Sequence, residues 1–407
     1  MPNRRILVIF TLTFLSNLGY GVMIPSLSLY ASSVGASHSF IGLIVSVYAA
    51  AQLLTQVPVG RLSDRIGRKF LVAAGFFGMA VAAALFNFAT QPSHFFLLQG
   101  LAGIATGFLW PPLMALLTDD VSPSQRGKLM GTFNTIFFIG IGVGPLLGGY
   151  IASAYGYMAS FNVWAAIAAF GGFFCLVWFQ ETPRTAKAPA IKSAHSPTAT
   201  SGLLKPGFWP TFIAGCAIRA RGGFCTSFNN ALLPLYAVGL FGASTKMIGS
   251  LMFIHGLMLA FFNLPGGMIS DRFGRRIPAF WGSLLATAGV LWYSFPSGFS
   301  TLLVAVGLAG AGSAFATPAV AALTADVCNP ERRGEAFGYF LTSFYVGMVF
   351  GALIFGFVSD LVGLPGAVLA WGITSFLLSL TGWIIRETGV RAPLQTLPQE
   401  SRVRSTV

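Results

Sequence analysis

The chain has 407 residues, of which 55% are hydrophobic and only 9% are charged. Soluble globular proteins carry about 25% charged residues, so this composition excludes an ordinary soluble fold. The net charge of +13 could indicate a nucleic-acid ligand, but the positions of the basic residues explain it otherwise. The four cysteines lie in or beside apolar runs without a CxxC pair, which argues against a zinc site or a disulfide framework.

Apolar runs of membrane-spanning length recur along the whole chain. A helix needs about 20 apolar residues to cross the hydrocarbon, and a span must be helical because lipid offers no partners for backbone polar groups. The first run, from Ile6 to Ala31, contains no charge and is too long for a signal peptide. The chain is therefore predicted to be an all-α membrane protein with twelve transmembrane helices, at residues 6–31, 39–60, 70–90, 95–118, 128–153, 158–180, 208–238, 246–269, 277–296, 300–325, 334–359 and 365–386.

Basic residues are concentrated in every second connection between the predicted spans. Of the 24 lysines and arginines, all but Arg219, Arg221 and Lys246 fall on one side of the membrane. Because positively charged loops stay in the cytoplasm, both termini are predicted to be cytoplasmic, in a multi-pass protein of the cytoplasmic (inner) membrane. The net charge then reflects membrane topology, and no nucleic-acid partner is expected.

The two halves of the chain are related by an internal repeat. The segment Gly60–Lys69 recurs as Gly267–Arg276, and Pro112–Val121 recurs as Pro318–Val327. A stretch rich in Pro, Ala, Ser, Thr and Lys separates the halves and is typical of a flexible linker. Repeats of this kind place the substrate near mid-membrane between two moving halves. The predicted organisation is an N-terminal six-helix bundle at 1–181, a cytoplasmic linker at 182–207, a C-terminal six-helix bundle at 208–388 and a cytoplasmic tail at 389–407.

At these residues the chain resembles the major facilitator superfamily over its whole length. The family's loop motif between helices 2 and 3 is matched by Gly60, Asp64, Arg65, Gly67, Arg68 and Lys69. Helix 5 is similar to the antiporter signature of the drug:proton branch, at Gly131, Gly140, Gly144, Pro145, Gly148 and Gly149. The resemblance implies two pseudo-symmetric six-helix bundles that move a solute by alternating access without a cofactor. One departure is Phe96, which stands where that branch has an arginine associated with proton coupling, so the usual coupling route is in question.

The loop motif is expected to form a latch between the halves on the cytoplasmic side. A helix N-terminus favours an anion, and the resemblance places Asp64 at the start of helix 11 and Asp271 at the start of helix 5. The motif arginines are expected to pair with carboxylates at neighbouring helix ends; the alternative is a topology signal alone. The gating residues predicted on this basis are Gly60, Asp64, Arg65, Gly67, Arg68, Asp120, Asp271, Arg272, Gly274, Arg275 and Asp326.

The helix 5 glycines at 140, 144 and 148 are four residues apart and therefore lie on one face. Such a face lets a neighbouring helix approach closely, and Pro145 is expected to bend the helix. The resemblance implies that this face meets the other half and seals a path across the membrane. Ordinary packing of small residues is the alternative.

The charges inside the membrane are basic. All eleven acidic residues lie in loops or at helix ends, which disfavours an exporter of organic cations. Arg219 lies about 16 Å along helix 7, and an arginine at such a depth costs at least about 2.5–3.5 kcal/mol, so it must face protein or water. Arg219 or Arg221 is predicted to bind an anionic group, the alternative being a structural arginine. The two point about 200° apart and cannot both face one ligand.

His255, near the middle of helix 8, is the candidate proton carrier because histidine titrates near neutral pH. A packing histidine is the alternative, and the same holds for the remaining polar and aromatic candidates. The predicted substrate-binding residues, in addition to His255 and the two arginines, are Asn17, Tyr20, Tyr48, Gln52, Trp110, Asn134, Phe228, Asn229 and Asn230.

These features predict a secondary active transporter that exports small amphipathic or anionic compounds in exchange for protons. The alternatives are an organic-anion or anionic-lipid transporter working by uptake, uniport or symport, and a membrane receptor that does not transport. An enzyme is not expected, because the chain has no nucleotide-binding loop, metal-ligand cluster or loop long enough for a catalytic domain. The expected partners are the lipid bilayer, a small-molecule substrate and protons, and the chain is expected to work as a monomer.

Overall fold

The computed structural model describes residues 4–119, 123–179 and 202–388. In this part the chain is helical apart from its connections and one isolated antiparallel bridge between Leu204 and Cys328. The first half contains α1 (Arg4–Ser33), α2 (His38–Ile66), α3 (Arg68–Leu85), α4 (Pro92–Gly107), α5 (Trp110–Asp119), α6 (Pro123–Tyr155) and α7 (Tyr157–Trp178). The second half contains α8 (Trp209–Ala231), α9 (Leu233–Phe241), α10 (Thr245–Phe273), α11 (Arg276–Trp292), α12 (Phe299–Val327) and α13 (Arg333–Leu380).

The described helices account for the predicted spans. Nine are long and apolar enough to cross a membrane, and α8 with α9 forms a tenth span that bends by 50°. The 48-residue α13 is two helices merged across Gly363, whose φ of 77° is not helical. The remaining span is α11, which has 17 residues. The all-α membrane fold predicted from the sequence is therefore confirmed.

Two predicted spans are interrupted where the sequence has proline. The span at 95–118 divides between α4 and α5, where Pro111 and Pro112 cannot donate the backbone hydrogen bonds that would continue the helix. The span at 208–238 bends at Pro234 for the same reason. Pro234 leaves the Asn230 carbonyl without its helical donor, and that oxygen accepts a hydrogen bond from Ser28 Oγ in the other half at 2.8 Å.

The largest cluster of buried apolar side chains extends through both halves, a smaller one lies in the second half, and the halves meet along two helix pairs. In the first half α1 packs on α6 and α7, with Phe86 and Phe161 stacked at 4.7 Å. In the second half α8 packs on α13, where Phe228 and Phe355 surround the buried Trp371. The contacts between the halves come mainly from α2 with α13 and from α6 with α10. A solute path between the halves must therefore be closed by these two pairs.

The described contacts between the halves are unevenly distributed along the helices. We call the side with the connections at Gly67 and Gly274 the motif face, and the opposite side the distal face. Near the distal face a Cβ on Gly42 would overlap the Ala352 carbonyl oxygen of the other half. Towards the motif face, a Cβ on Gly131, Gly334 or Gly338 would have no described neighbour within 4 Å. Among the described residues, the close approaches of backbone between the halves therefore lie in the middle of the interface and towards the distal face.

Candidate functional site

An aromatic wall, formed by Tyr20, Tyr48 and Trp164, lies within the first half, with Tyr48 in electrostatic range of Tyr345 in the other half. The rings of Tyr20 in α1 and Tyr48 in α2 stack with centroids 4.6 Å apart. The Tyr48 hydroxyl donates to Thr106 Oγ1 at 3.2 Å, and Trp164 meets Tyr20 edge-on at 6.0 Å. The two tyrosines predicted as site residues are therefore brought together, with their rings held by neighbouring helices.

Two described hydrogen bonds between α2 and α13 cross from one half to the other near the depth of the aromatic wall, and the first is donated by Ser46 Oγ to the Val349 carbonyl at 2.6 Å. Gln56 Nε2 in α2 donates to the Tyr345 hydroxyl in α13 at 2.6 Å. Neither residue was predicted, although each is a polar side chain inside an apolar run, and Gln56 lies one helical turn after the predicted Gln52. The pairing itself could not be found from the sequence, because the two residues are 289 positions apart.

Arg219 lies beside this bond. Its guanidinium carbon is 4.3 Å from the centroid of Phe344 and 5.5 Å from that of Phe340, both in α13. It is also within electrostatic range of Tyr345. The rings stabilise the charge through their π faces, but they accept no conventional hydrogen bond. Arg219 Nε is buried and has no hydrogen-bond acceptor in the described part of the chain.

Arg221, two residues further along α8, contacts α12. Its side chain is 1% exposed, and Nη2 donates to Ser313 Oγ of α12 at 3.1 Å. The two arginines therefore do not share one ligand, as their angular separation on the helix predicts. Of the two, Arg219 is the one that lies at the boundary between the halves.

The middle of the interface carries no negative charge to balance these arginines. Every acidic side chain that the structure describes lies at a helix end or in a connection. These residues are Asp271, Asp326, Glu331, Glu335, Asp360 and Glu387. The aromatic wall and Arg219 thus form an electropositive, partly apolar environment.

His255 lies on α10 in the second half. Its Nδ1 is 3.4 Å from the Val306 carbonyl oxygen, and since a carbonyl only accepts, this nitrogen carries the hydrogen. The ring is half-buried, and Nε2 has no hydrogen-bond partner among the described residues. A proton could therefore be taken up or released at Nε2.

Other predicted site residues make contacts within their own half. Asn17 is buried and donates to the Thr13 carbonyl at 2.8 Å, and Asn229 Nδ2 lies 3.7 Å from Cys225 Sγ. Gln52 is also buried, and Asn134 is half-buried on α6.

Two aromatic candidates are packed, and a third candidate reaches the other half only through its backbone. Trp110 packs edge-on against Phe137 at 5.3 Å. Phe228 is completely buried against Trp371, so it does not line the opening in this conformation. Asn230 meets the other half through its carbonyl, as described above.

The predicted helix 5 corresponds to α6. Its face with Gly140, Gly144 and Gly148 does not meet the other half as the resemblance implied. A Cβ on Gly140 would be 2.8 Å from Asn17 Cβ, and a Cβ on Gly144 would be 2.7 Å from the Leu18 carbonyl oxygen. Gly148 likewise packs against Val22, so this face meets α1 of the same half and the expectation was wrong. The other half is met by a neighbouring face of α6, through Gly142 and Gly149.

The second-half copy of the loop motif forms a network within its own half. Arg275 Nε donates to Asp326 Oδ2 at 3.0 Å, which confirms the predicted pairing. Arg275 Nη1 also pairs with Asp271. The Asp271 side chain is 75% exposed, so it is not packed against α6, the predicted helix 5. Gly274 has a φ of 90° and Gly67 one of 105°, values that glycine adopts at little cost. The predicted roles of Asp64, Arg65 and Asp120 lie outside what the structure describes, because their side chains are not among the described ones.

A latch of the predicted kind is present on the distal face. The Asp360 carboxylate of α13 accepts hydrogen bonds from the backbone N–H groups of His38 at 3.1 Å and Ser39 at 2.9 Å, at the N-terminus of α2. Ser39 Oγ also donates to it, and His38 Nδ1 is 2.7 Å from Ser359 Oγ. The sequence could have indicated this latch, because Asp360 is the single acidic residue in the distal connections.

Asp360→Asn is expected to shift the protein towards the distal-open state by up to about tenfold, because the charge at the helix N-terminus is lost. Burial alone would raise the pKa of Asp360, but the hydrogen bonds from Ser39 and His38 outweigh it and lower the pKa below 3.8. The latch is therefore complete above this ordinary value and is lost only as the pH falls through the lowered pKa.

The measurement is the reactivity of a cysteine placed at the buried Ala31, in a chain without its four native cysteines. The membrane-impermeant thiol reagent is added on the distal side. At each pH from about 8 to about 5, the labelling rate in Asp360→Asn divided by the parental rate at the same pH should exceed one and stay constant, because the thiolate fraction cancels in the ratio. A motif-face control, Glu335→Gln, should leave the labelling rate unchanged. Equal reactivity in parent and Asp360→Asn would contradict a latching role.

A cavity of about 480 Å³ also opens between the halves on the distal face. Its lining includes Ser32, Ser33, Ser244 and Thr245, and it contains no charged residue. Arg219, Tyr20 and Tyr48 are not in its lining, so it is separate from the candidate site described above.

Comparison with known families decides the class of the protein. The model of the Major Facilitator Superfamily matches residues 9–244 and 222–405. The chain belongs to this superfamily. It is therefore a membrane transporter and not an enzyme.

Known proteins are similar to this chain in sequence and in fold. An uncharacterized MFS-type transporter of Methanocaldococcus jannaschii is 27% identical over 94% of this chain and 98% of its own length. Multidrug resistance protein 2 of Bacillus subtilis is 24% identical, over 87% of this chain and 88% of its own length. Among solved structures, an inward-facing, unoccupied bacterial homolog of the human lysosomal transporter Spinster superposes with a TM-score of 0.81. It is 15% identical, with 95% of this chain and 97% of that chain covered.

Proposed function

We propose that this superfamily member exports amphipathic organic anions by alternating access, with Arg219 binding the anionic group. The observation that carries this proposal is the Arg219 guanidinium, which lies at the boundary of the halves with an unpaired buried Nε. A buried donor without an acceptor is costly, and a carboxylate or sulfonate would supply the missing bond and charge. The Tyr345 hydroxyl accepts from Gln56, so its own hydrogen is available to the same anion.

The apolar part of the solute would lie against the aromatic wall. Tyr20 and Tyr48 stack on each other in the first half, Tyr48 lies in electrostatic range of Tyr345, and Phe344 contacts Arg219 in the second half. Binding sites for small molecules combine apolar walls with a few placed polar groups, which is the combination found here. Because both halves contribute and one chain supplies them, the proposed working unit is a monomer.

Export requires that the solute enters from the cytoplasm. The basic connections of the motif face support a cytoplasmic location for that face, in the cytoplasmic membrane. A conformation open to the motif face would then be the one that loads substrate. The name of the Bacillus subtilis relative, a multidrug resistance protein, also supports efflux.

Proton exchange would require a group other than a mid-membrane carboxylate, because none is described there and Phe96 replaces the usual arginine. We propose His255 for this role. Its ring is held by the Val306 carbonyl through Nδ1, which leaves Nε2 to carry the proton.

The test uses inside-out vesicles with an acidic lumen and two fluorescent dyes of similar size, one sulfonated and one cationic. The sulfonated dye should accumulate when the pH gradient is imposed, and the cationic dye should not. His255→Gln should abolish the response to the gradient while the sulfonated dye still moves down its own concentration gradient. Selective accumulation of the cationic dye would contradict the proposed substrate class. Accumulation of the sulfonated dye without any pH dependence would favour organic-anion uniport instead.

A further inference from the structure

The second half contains a buried cation that the proposed transport cycle does not use. Arg221 is 1% exposed, and its single described hydrogen bond is the one from Nη2 to Ser313 Oγ at 3.1 Å. Nε and Nη1 of the same guanidinium are buried without an acceptor among the described residues. Two of its three nitrogens therefore lack the partners that a buried charge requires.

The surroundings of Arg221 supply no compensating charge. The titratable groups within electrostatic range are Cys225, one turn further along α8, and His255 on α10. A neutral thiol and an imidazole add no negative charge, and Arg219 adds a second positive charge two residues away. A buried ion without a counter-charge carries a desolvation cost of several kcal/mol. The site therefore calls for an anion that the chain does not provide.

The same burial limits the size of that anion. An organic solute in the opening between the halves has almost no access to a side chain that is 1% exposed. Small residues of α12 border the region: a Cβ on Gly310 would be 3.2 Å from His255 Nδ1, and Ser313 contacts Arg221 directly. The Ser313 oxygen accepts from Nη2, so its hydrogen is free to donate to an ion.

From this arrangement we infer that the second half holds a resident monovalent inorganic anion of chloride size at Arg221 and Ser313. This site is separate from the substrate site at Arg219. It neutralises one of the two buried arginines, so that a transported anion has only the other to balance. The inference does not depend on the proposed substrate, because it concerns a side chain closed off from the opening.

The test is the melting temperature of the purified protein as sodium chloride replaces sodium gluconate at constant ionic strength. Chloride binding to the folded state should raise the melting temperature saturably, by about 2–4 °C. Arg221→Gln should remove this saturable rise. Ser313→Ala, a smaller change, should raise the half-saturating chloride concentration about tenfold, because one hydrogen bond to the ion is lost.

The matched control is Arg219→Gln, which removes a buried arginine from the same helix and should keep the chloride-dependent rise. Bromide should replace chloride, whereas acetate, tested in Arg219→Gln so that it cannot act at the substrate site, should not. Any of three results would overturn the inference: no saturable rise in the unmodified protein, an unchanged rise in Arg221→Gln together with Ser313→Ala, or an equal rise with acetate in Arg219→Gln. If Arg221→Gln does not fold, the half-saturating chloride concentration of Ser313→Ala decides between the two outcomes.

Discussion

Replacing Arg219 by glutamine is expected to lower kcat/KM for a sulfonated or carboxylated solute by at least about 30-fold. Truncating one partner of a buried, hydrogen-bonded charge pair costs about 2–5 kcal/mol, and 1.4 kcal/mol corresponds to tenfold. Arg219→Lys keeps the charge but loses Nε and the planar fork, so it should recover only part of the loss. The measurement is initial uptake into proteoliposomes across a range of solute concentrations.

Two comparisons separate this effect from general damage. Arg4→Gln removes an exposed arginine at the start of α1 on the motif face, and exposed charges of this kind contribute little. It should therefore retain the parental rate. An uncharged solute of the same size should be affected far less than the anion by Arg219→Gln. Parental kinetics for the anion in Arg219→Gln would remove the basis of the proposed function.

The helical, membrane-spanning character of the chain could be predicted because it depends on local chemistry. Apolar runs and the distribution of arginine and lysine fix the spans, and proline positions explain where two of them break. What could not be predicted is which helices meet. Gln56 and Tyr345 are ordinary polar residues until α2 and α13 are placed side by side.

The glycines of α6 also show that a sequence does not reveal which helices meet. Spacing by four predicts that residues 140, 144 and 148 share a face, and they do. The spacing does not say which neighbour that face meets, because both α1 and α10 approach α6 closely. Gly144 lies against α1, whereas Gly142 and Gly149 lie against α10.

The latch that the structure describes lies at the distal face, whereas most of the side chains expected to form one at the motif face are outside the described part of the chain. A carboxylate at a helix N-terminus can hold two halves together only on the side where they are in contact. The halves are in contact at the distal face, so the bonds of Asp360 are made while Asp271 remains largely exposed. A sequence encodes both states of a transporter and does not say which of them a given structure shows.

Gly42→Ala is expected to prevent closure at the distal face. Gly42 lies in α2, and an added Cβ would overlap the Ala352 carbonyl oxygen of α13, where Gly356 also packs closely. Both partners are helical backbone, so neither can move aside as a flexible side chain could. A penalty of about 3 kcal/mol would reduce the motif-open population on the order of 100-fold. Turnover should fall accordingly, because alternating access requires both states.

The check is the distance between spin labels at two exposed distal positions, Tyr155 in the first half and Phe295 in the second, in a chain without native cysteines. Gly42→Ala should lengthen this distance. The control is Gly100→Ala in α4, where the added Cβ would be 3.7 Å from Val47 Cγ2, an ordinary contact. It should match the parent in distance and turnover. If Gly42→Ala also matched the parent in both, the close approach of α2 and α13 would not be what closes the distal face.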